Sequence, residues 1–574
     1  MYRSEYEKWR KSAALTPEEQ AELAAIEGDN QEIEERFYAP LSFGTAGLRG
    51  IMGTGLARMN IHVVRHATQG FAQVILEQGE AAAQKGVVIA CDSRHNSEIY
   101  AREAAALLAA NGIYVRLFSQ MRPTPQLSFA IRHYGATAGI NITASHNPKA
   151  YNGYKVYWSD GAQLPPPFAA KVAERMGDID IFTGIKTMDY ETAVTQGKIT
   201  LLGKETDEAF LACVMGESLG RDYVGQTAEH FKLVYTPLHG TGGPLVLEAL
   251  KRLGVRHVLP VYAQLNPDGE FPTVKSPNPE DPAGFQLALE IARDHSADLI
   301  IATDPDADRV GTMVRHEGAY LMISGNQMGV LLLHYIITAR KRDGNLPENA
   351  AFLKSIVTTE MARAVAERHG VAAYNTFTGF KFIAEKMADL GAEKTVIFAY
   401  EESYGYMVGD FVRDKDAITA SMLIAEMTAW YKTRGMTLID GLEELYRDLG
   451  YYYGEEVVNL SMPGYHGLQK MAELMANLRE NPPTEIGGQA VITRRDYLSG
   501  KRLEEDGKEA EMALKGSNVL SFTLADGTTF IVRPSGTEPK VKVYVLARGE
   551  NRAACEETIR RCLSYANQLT ADIA

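Results

Sequence analysis

A serine with a histidine beside it, in Thr143-Ala144-Ser145-His146-Asn147-Pro148, is the first group in this chain whose types could do covalent chemistry. A hydroxyl attacks only when a neighbour activates it, and residues adjacent along a chain often point apart. The plain reading of this string is therefore a turn rich in Ser, Asn and Pro. No Gly-x-Ser-x-Gly elbow surrounds Ser145, which argues against an esterase. The second group is Asp304-Pro305-Asp306-Ala307-Asp308-Arg309. Three carboxylates at alternate positions repel one another; in an extended i, i+2, i+4 segment all three turn to one side and call for a divalent cation. An all-oxygen set favours Mg²⁺ over zinc. Arg309 is either an ion-pair partner of the cluster or a ligand for phosphate. The loop lacks the Gly and the distant Glu of an EF-hand.

The third group, Tyr400-Glu401-Glu402-Ser403-Tyr404-Gly405-Tyr406, offers acceptors for sugar hydroxyls and flat aromatic faces for a sugar ring. Acidic residues opening a helix would spell the same string. The fourth, Arg533-Pro534-Ser535-Gly536-Thr537-Glu538-Pro539-Lys540, supplies a guanidinium fork, two hydroxyls and a glycine that lets backbone N–H groups approach a phosphate. It has no Gly-Lys-Ser/Thr ending and so is not a Walker A loop; a surface turn is the plain alternative. Two shorter strings join these: Gly44-Thr45-Ala46-Gly47-Leu48-Arg49-Gly50, built like a phosphate nest, and Thr378-Gly379-Phe380-Lys381. A serine acceptor, a carboxylate triplet, a hydroxyl-reading loop and a separate phosphate-reading loop are the parts from which phosphoryl transfer is assembled.

Buried strands must carry these loops. Apolar runs precede several polar loops: Val87-Val88-Ile89-Ala90 before Asp92-Ser93-Arg94, Leu233-Val234-Tyr235 before Thr236-Pro237, Leu299-Ile300-Ile301-Ala302 before Thr303-Asp304, and Val396-Ile397-Phe398-Ala399 before Tyr400-Glu401. Uninterrupted apolar strands are buried on both faces, which predicts parallel sheets covered by helices, with ligands at the strand C-terminal ends. Near the end, Val519 to Phe522, Phe530 to Val532 and Val541 to Val545 alternate in part and suit a smaller α+β domain with an antiparallel sheet. Thr16-Pro17-Glu18-Glu19 spells a helix-capping box. The 574 residues suggest about four domains. Their boundaries are expected at 1–205, 206–318, 319–450 and 451–574.

Composition narrows the partners. Hydrophobic residues at 45% and charged residues at 23% are the balance of a protein with cores to fill. Lys+Arg 59 against Asp+Glu 73 gives a net charge of −14, which argues against nucleic acid or anionic lipid as the main partner. An anionic metabolite then requires cations gathered locally. Cys91, Cys213, Cys555 and Cys562 make neither a disulfide framework nor a CxxC pair, and point to a reducing, cytoplasmic setting. The first residues lack the apolar core of a signal peptide. The longest apolar stretch, near 330–339, is too short to span a bilayer.

Read in order, the strings resemble the α-D-phosphohexomutase superfamily, and most closely its phosphoglucomutase branch: GTAGLRG at 44–50, TASHNP at 143–148, NGYK at 152–155, DPDADR at 304–309, TGFK at 378–381, EES at 401–403 and RPSGTEP at 533–539. The resemblance implies a heart-shaped molecule of four domains, three related α/β domains with mainly parallel mixed sheets and a smaller C-terminal α+β domain. It implies an isomerase, an intramolecular phosphotransferase, acting on a phosphosugar as a monomer or weak homo-oligomer. Ser145 matches the residue carried as phosphoserine. Asp304, Asp306 and Asp308 match the Mg²⁺ ligands, completed by a phosphoryl oxygen on Ser145. Arg309 matches a phosphoryl contact, and Arg49, His146 and Lys155 match positions near the reacting groups, with His146 or Lys155 as general base. Glu401 and Ser403 match the pair that reads sugar hydroxyls, and Lys381 a residue near the substrate. Arg533, Ser535, Gly536 and Thr537 match the distal phosphate loop. The implied cycle passes through glucose 1,6-bisphosphate, which turns end for end between two transfers.

The sugar loop departs from the common family spelling. Tyr400 stands where Gly is usual, and Tyr404 separates Ser403 from Gly405. Adjacent Glu401 and Glu402 favour gluco substrates, with phosphomannomutase and phosphopentomutase as the alternatives inside the superfamily. A haloacid-dehalogenase-type phosphatase is a remoter alternative, with Asp304 as nucleophile and Asp410 and Asp414 as its later acidic motif. A sugar-phosphate sensor without turnover is another, opposed by the intact serine and aspartates.

Overall fold

The computed structural model describes residues 2–44, 47–462, 467–535 and 540–571. The chain forms two compact units, Met1–Gly325 with Met387–Gly391 and Val396–Thr437, and Asn326–Lys386 with Ala392–Thr395 and Leu438–Ala574. The strands in chain order are β1 (Leu48–Ile51), β2 (Val87–Cys91), β3 (Val115–Phe118), β4 (Ala138–Ile142), β5 (Tyr151–Trp158), β6 (Ile199–Leu202), β7 (Lys232–Thr236), β8 (His257–Pro260), β9 (Leu299–Thr303), β10 (Val310–His316), β11 (Ala319–Ile323), β12 (Ala350–Ser355), β13 (Ala372–Thr376), β14 (Thr395–Glu401), β15 (Gly405–Val408), β16 (Tyr452–Ser461), β17 (Glu485–Ile486), β18 (Gln489–Asp496), β19 (Lys501–Glu504), β20 (Glu509–Glu511), β21 (Leu520–Leu524), β22 (Thr529–Pro534) and β23 (Lys540–Gly549). The apolar runs expected as strands are β2, β7, β9 and β14.

In the first unit, one sheet runs β1-β5-β4-β2-β3-β6. β2, β3, β4 and β6 are parallel, and β5 turns back antiparallel on β4. Every residue of β2 is buried. Val87, Ile89 and Cys91 join one apolar cluster with helix Ile61–Leu76, while Val88 and Ala90 join another with Leu127, Ala130 and Ile131 of helix Thr124–His133. Both faces are thus covered, which is why the run does not alternate in polarity. Each Val, Ile or Leu among them contributes about 1.5–3 kcal/mol by leaving water.

A second sheet runs β11-β10-β9-β7-β8, with β7, β8 and β9 parallel and β10 antiparallel to β9. The aspartate string therefore connects adjacent antiparallel strands, starting from the C-terminal end of a fully buried one. The β14–β15 hairpin belongs to the same unit, as does helix Ala417–Thr433. That helix is apolar nearly all round and buried accordingly. Its N-cap, Asp416, accepts hydrogen bonds from the N–H groups of Ile418 and Thr419.

In the second unit, β12 and β13 are a parallel pair linked through helix Glu360–Arg368. The C-terminal sheet is antiparallel in the order β16-β23-β22-β21-β18-β19-β20, with β17 paired to β18. Its strands alternate: Phe530 and Val532 pack on helices Gly467–Glu480 and Arg552–Ala571, while Ile531 faces a cluster with Tyr544 and Ile356. This is the smaller α+β domain read from the sequence. The expected capping box is present at Thr16, whose hydroxyl accepts from Glu19 N–H while the Glu19 carboxylate accepts from Thr16 N–H. Among the described residues, no helix is long and apolar enough to cross a membrane.

Candidate active site

Ser145 lies in the loop after β4, 3% exposed, with φ +52°. A non-glycine residue in that region is strained by about 1–2 kcal/mol and persists only where its surroundings hold it. Its N–H donates to Thr143 Oγ1 at 2.9 Å. The Arg94 guanidinium donates to its carbonyl at 2.6 Å. The left-handed turn also breaks the alternation that would throw Ser145 and His146 apart. Ser145 Oγ lies 3.1 Å from His146 Nδ1 and donates to Asp304 Oδ2 at 2.8 Å. The residue is more than a turn former. Its hydroxyl joins a histidine of its own loop to a carboxylate of another sheet.

The aspartates converge by a route other than the extended one expected. Residues 305–308 form a tight turn with Ala307 at φ +47°. The Asp304 Oδ1 atom accepts the N–H groups of Asp308 at 3.1 Å and Arg309 at 3.0 Å, and the Ala307 carbonyl accepts from Ala417 N–H. The turn still gathers one oxygen from each of Asp304, Asp306 and Asp308 within 4.8 Å of one another, all buried. Two lysines compensate the charge. Lys155 Nζ donates to Asp306 Oδ2 at 2.7 Å and lies 3.6 Å from Asp308 Oδ2, and Lys415 Nζ lies 3.2 Å from Asp308 Oδ2. Thr124 Oγ1 donates to Asp306 Oδ2 at 2.8 Å. Among the described residues Asp306 Oδ1 and Asp308 Oδ1 accept no hydrogen bond. Buried carboxylate oxygens without donors, in an oxygen-only set, fit a hard divalent cation.

Burial and the like charges of Asp306 and Asp308 push the Asp304 carboxyl well above the usual carboxylate range. Burial opposes ionisation of Asp306 too, but Lys155 and Thr124 hold it far below that range. The Lys155 and Lys415 ammoniums sit above their ordinary values because Asp308, with Asp306 or Asp414, outweighs their burial. Burial first, then Arg309 and Arg49, depress the His146 imidazole well below its ordinary value.

The remaining candidates fall as follows. Arg49, exposed on β1, donates through Nη1 to Asn147 Oδ1 at 3.1 Å. Gly47 has φ +81°, and a Cβ there would stand 1.8 Å from the Tyr154 carbonyl, so the first glycine string seats β1 against β5. Thr45 and Ala46 lie outside the described residues. Arg309 pairs with Glu280 at 2.5 Å and lies 3.7 Å from Asp308 Oδ1. Glu401 is 4% exposed at the end of β14, opposite Gly405, and Ser403 is half-buried in the turn between them. Two of the three tyrosines expected to offer faces to a sugar do something else. Tyr400 and Tyr406 are buried and stack with each other and with Phe398, at centroid distances of 5.6–6.5 Å. They sit in strands whose faces are covered, and only half-buried Tyr404, at φ +64° in the turn, is left partly open. Lys381, Arg533 and Ser535 belong to the second unit. There Lys381 Nζ lies over the Phe382 ring, Arg533 Nη1 donates to Tyr544 Oη at 3.4 Å, and Ser535 N–H closes a turn on the Lys540 carbonyl. Gly536 and Thr537 lie outside the described residues.

Three participants were missed from the sequence. Lys415 and Thr124 complete the charge and hydrogen-bond shell of the aspartates, and Arg94 holds the serine loop. The available signal was position: Arg94 follows the buried β2, and Lys415 stands in the charged run Arg413-Asp414-Lys415-Asp416 between two apolar segments. Asp414 does not complete a phosphatase-like acidic motif, because its Oδ2 accepts from Tyr157 Oη at 3.0 Å and Gln163 Nε2 at 3.2 Å.

Family models for phosphoglucomutase/phosphomannomutase match in four successive segments: α/β/α domain I over 40–181, domain II over 217–318, domain III over 324–449 and the C-terminal domain over 496–557. Phosphoglucomutase of Staphylococcus haemolyticus (strain JCSC1435) is 38% identical over 522 residues, covering 90% of this chain and 92% of that protein. Phosphoglucomutase of Staphylococcus aureus (strain N315) is 38% identical over 527 residues, covering 90% and 91%. Two solved structures share the fold. Parafusin, a Paramecium phosphoglucomutase in its open form, has a TM-score of 0.70 at 19% identity over 92% of this chain and 96% of that one. A phosphoglucomutase/phosphomannomutase family protein from Burkholderia thailandensis has a TM-score of 0.66 at 19% identity over 93% and 97%. Four family segments in order, over the β-sheets that present Ser145 to Asp304, and relatives above 35% identity along nine-tenths of the chain lead to one conclusion: the chain belongs to the α-D-phosphohexomutase superfamily, in its phosphoglucomutase branch.

Proposed function

We propose that this protein is a phosphoglucomutase, an isomerase that interconverts α-D-glucose 1-phosphate and glucose 6-phosphate. The curated relatives named phosphoglucomutase support the activity, and the observation that carries it is the 2.8 Å hydrogen bond from Ser145 Oγ to Asp304 in a buried triplet of aspartates. Ser145 would carry the phosphoryl group, and Asp304, Asp306 and Asp308, with a phosphoryl oxygen on Ser145, would hold Mg²⁺. Bound there, Mg²⁺ neutralises the roughly −1.5 to −2 charge of a phosphoserine so that an anionic substrate can approach.

In the forward direction the 6-hydroxyl of glucose 1-phosphate attacks phosphorus. The Oγ–P bond of Ser145 breaks as the O6–P bond forms, leaving glucose 1,6-bisphosphate. The hydroxyl proton goes to His146, whose charged form burial disfavours, or to Lys155 in its amine form, which the ion pairs with Asp306 and Asp308 disfavour, and Arg49 and Arg309 face the transferring group. The bisphosphate turns end for end, Ser145 Oγ attacks the 1-phosphorus, the O1–P bond breaks as the Oγ–P bond re-forms, and the proton held by the base passes to the leaving O1, giving glucose 6-phosphate. Glu401 and Ser403 read the sugar hydroxyls in both orientations, Lys381 lies near the substrate, and Arg533, Ser535, Gly536 and Thr537 take the phosphate that is not reacting. The domains are 1–205 with the serine loop, 206–318 with the aspartate loop, 319–450 with the sugar loop and 451–574 with the phosphate loop.

A coupled assay with glucose-6-phosphate dehydrogenase, glucose 1-phosphate, Mg²⁺ and a trace of glucose 1,6-bisphosphate tests the activity. With NADP⁺ present, sustained NADPH formation is expected, and ³¹P NMR of separate reactions is expected to show glucose 1-phosphate converted faster than mannose, glucosamine or pentose 1-phosphates. Binding of sugar phosphate by fully phosphorylated protein without turnover would sink the proposal and favour a sensor.

A further inference from the structure

Arg94 is one of the largest fully buried side chains among the described residues, on a loop with no reacting group of its own. Its position is unusual in what it touches. Nη2 donates to the carbonyls of Ser145, at 2.6 Å, and Asn147, and Nη1 donates to those of Pro148 and Tyr151, both at 3.0 Å. All four terminal N–H groups of one guanidinium therefore end on the backbone of a seven-residue stretch that begins at the reactive serine. Its charge is matched elsewhere: Nε lies 3.3 Å from Asp92 Oδ2, and Asp92 is itself fixed by Arg94 N–H and Ser97 Oγ.

The opposite side of Arg94 is closed by a loop from the second sheet's domain. Phe271, at φ +46°, lies 5.2 Å from the guanidinium carbon. Gly269 lies so near that a Cβ would stand 2.7 Å from His95 N. The same loop caps one of the three intervening carbonyls, since Ser276 Oγ donates to His146 O at 3.1 Å, and Met52 N–H donates to that of Ala150 at 2.8 Å. Without Arg94, the carbonyls of Ser145, Asn147, Pro148 and Tyr151 would each lose a charged donor, and the strained φ of Ser145 would be left to its contacts with Thr143 and Asp304.

We propose that Arg94 is the positioning residue of the serine loop, clamping the backbone of residues 145–151 so that Ser145 Oγ points at the Asp304 carboxylate. A planar fork with donors in fixed directions can span four carbonyls; an ammonium with three tetrahedral donors cannot. The residue acts through Ser145 and touches neither the aspartates nor the sugar loop, so its effect falls on the chemical step and not on substrate binding. A displacement of the nucleophile by about 1 Å is enough for a hundredfold loss of rate.

The kinetic part rests on the phosphoglucomutase reading, and the structural part does not. Arg94→Lys and Arg94→Ala are made in the full chain. Hydrogen–deuterium exchange at the amides of 144–151 is expected to quicken about tenfold or more in both, with β2 and β4 unchanged. kcat is expected to fall about a hundredfold with KM for glucose 1-phosphate within about threefold, and added ethylguanidinium is expected to restore part of kcat in Arg94→Ala. If Arg94→Ala does not fold, Arg94→Lys carries both readouts. Wild-type loop exchange and wild-type kcat in Arg94→Lys would overturn the proposal, and so would a raised KM with kcat preserved. Absence of turnover in the wild-type protein would instead end the phosphoglucomutase reading, leaving loop exchange to decide the role of Arg94.

Discussion

At the scale of the residue, one hydroxyl separates this account from its rivals. Ser145 Oγ is shared between His146 and Asp304, whereas Asp304 has both carboxylate oxygens engaged, Oδ1 by two backbone N–H groups and Oδ2 by the serine. An aspartate so occupied suits a ligand and an acceptor better than a nucleophile. Ser145→Ala is expected to lower turnover below about a thousandth of wild type while costing only about 1 kcal/mol in stability, since it removes one side chain's hydrogen bonds and no packing. Near-normal turnover by that variant would contradict the assignment. His146→Ala and Lys155→Ala, compared at saturating Mg²⁺, separate the two candidate bases: the base is the residue whose loss flattens one limb of the kcat–pH profile.

At the scale of the element, loops are fixed by partners far away in sequence, and that sets how much can be read from the chain alone. Runs such as β2 and β9 were legible because burial on both faces leaves an uninterrupted apolar signature. The local turn at Ala307 was not, because it is held by the amide of Ala417, more than a hundred residues on. Lys415 was invisible for the same reason: its charge is tolerable in the interior only beside Asp308 and Asp414. The aromatic residues around Glu401 misled because tyrosine is equally at home stacked in a core and lining a sugar site. The helix that starts at Ala417 gives a test at this level. Burial raises its cap, Asp416, to about 6 from an ordinary 3.8, against the pull of its hydrogen bonds to Thr419 and Ile418. The folded state then binds that proton more tightly than the unfolded chain does. The contribution of Asp416 to stability is therefore largest below pH 4 and declines as the pH rises from about 4 to about 6, by up to about 3 kcal/mol. Asp416→Asn, which keeps the cap, is expected to remove that decline from the urea midpoints; an unaltered pH slope would show that Asp416 ionises freely.

At the scale of the whole molecule, a chain of net charge −14 binds anions by concentrating cations at a few loops. Arg49, Lys155, Arg309 and Lys415 gather near three buried aspartates, so much of the carboxylate charge is offset before any metal enters. The seven strings were legible in order because each stands at a fixed place in a four-domain family. The serine and aspartate loops meet in space, joined by Lys155 of the 152–155 string and Arg49 of the first, while the distal loop residues Gly536 and Thr537 lie outside the described structure. If the aspartates hold Mg²⁺, saturating Mg²⁺ is expected to raise the melting temperature by about 2–4 °C, and Asp306→Asn to abolish that rise. An equal rise in both proteins would place the cation elsewhere.

The most direct test follows the phosphoryl group itself. Protein incubated with glucose 1,6-[³²P]bisphosphate and digested should carry its label on the peptide containing Ser145, approaching one phosphoryl group per chain, and none in Ser145→Ala. Label on the peptide containing Asp304, or full turnover with an unlabelled Ser145, would contradict the account.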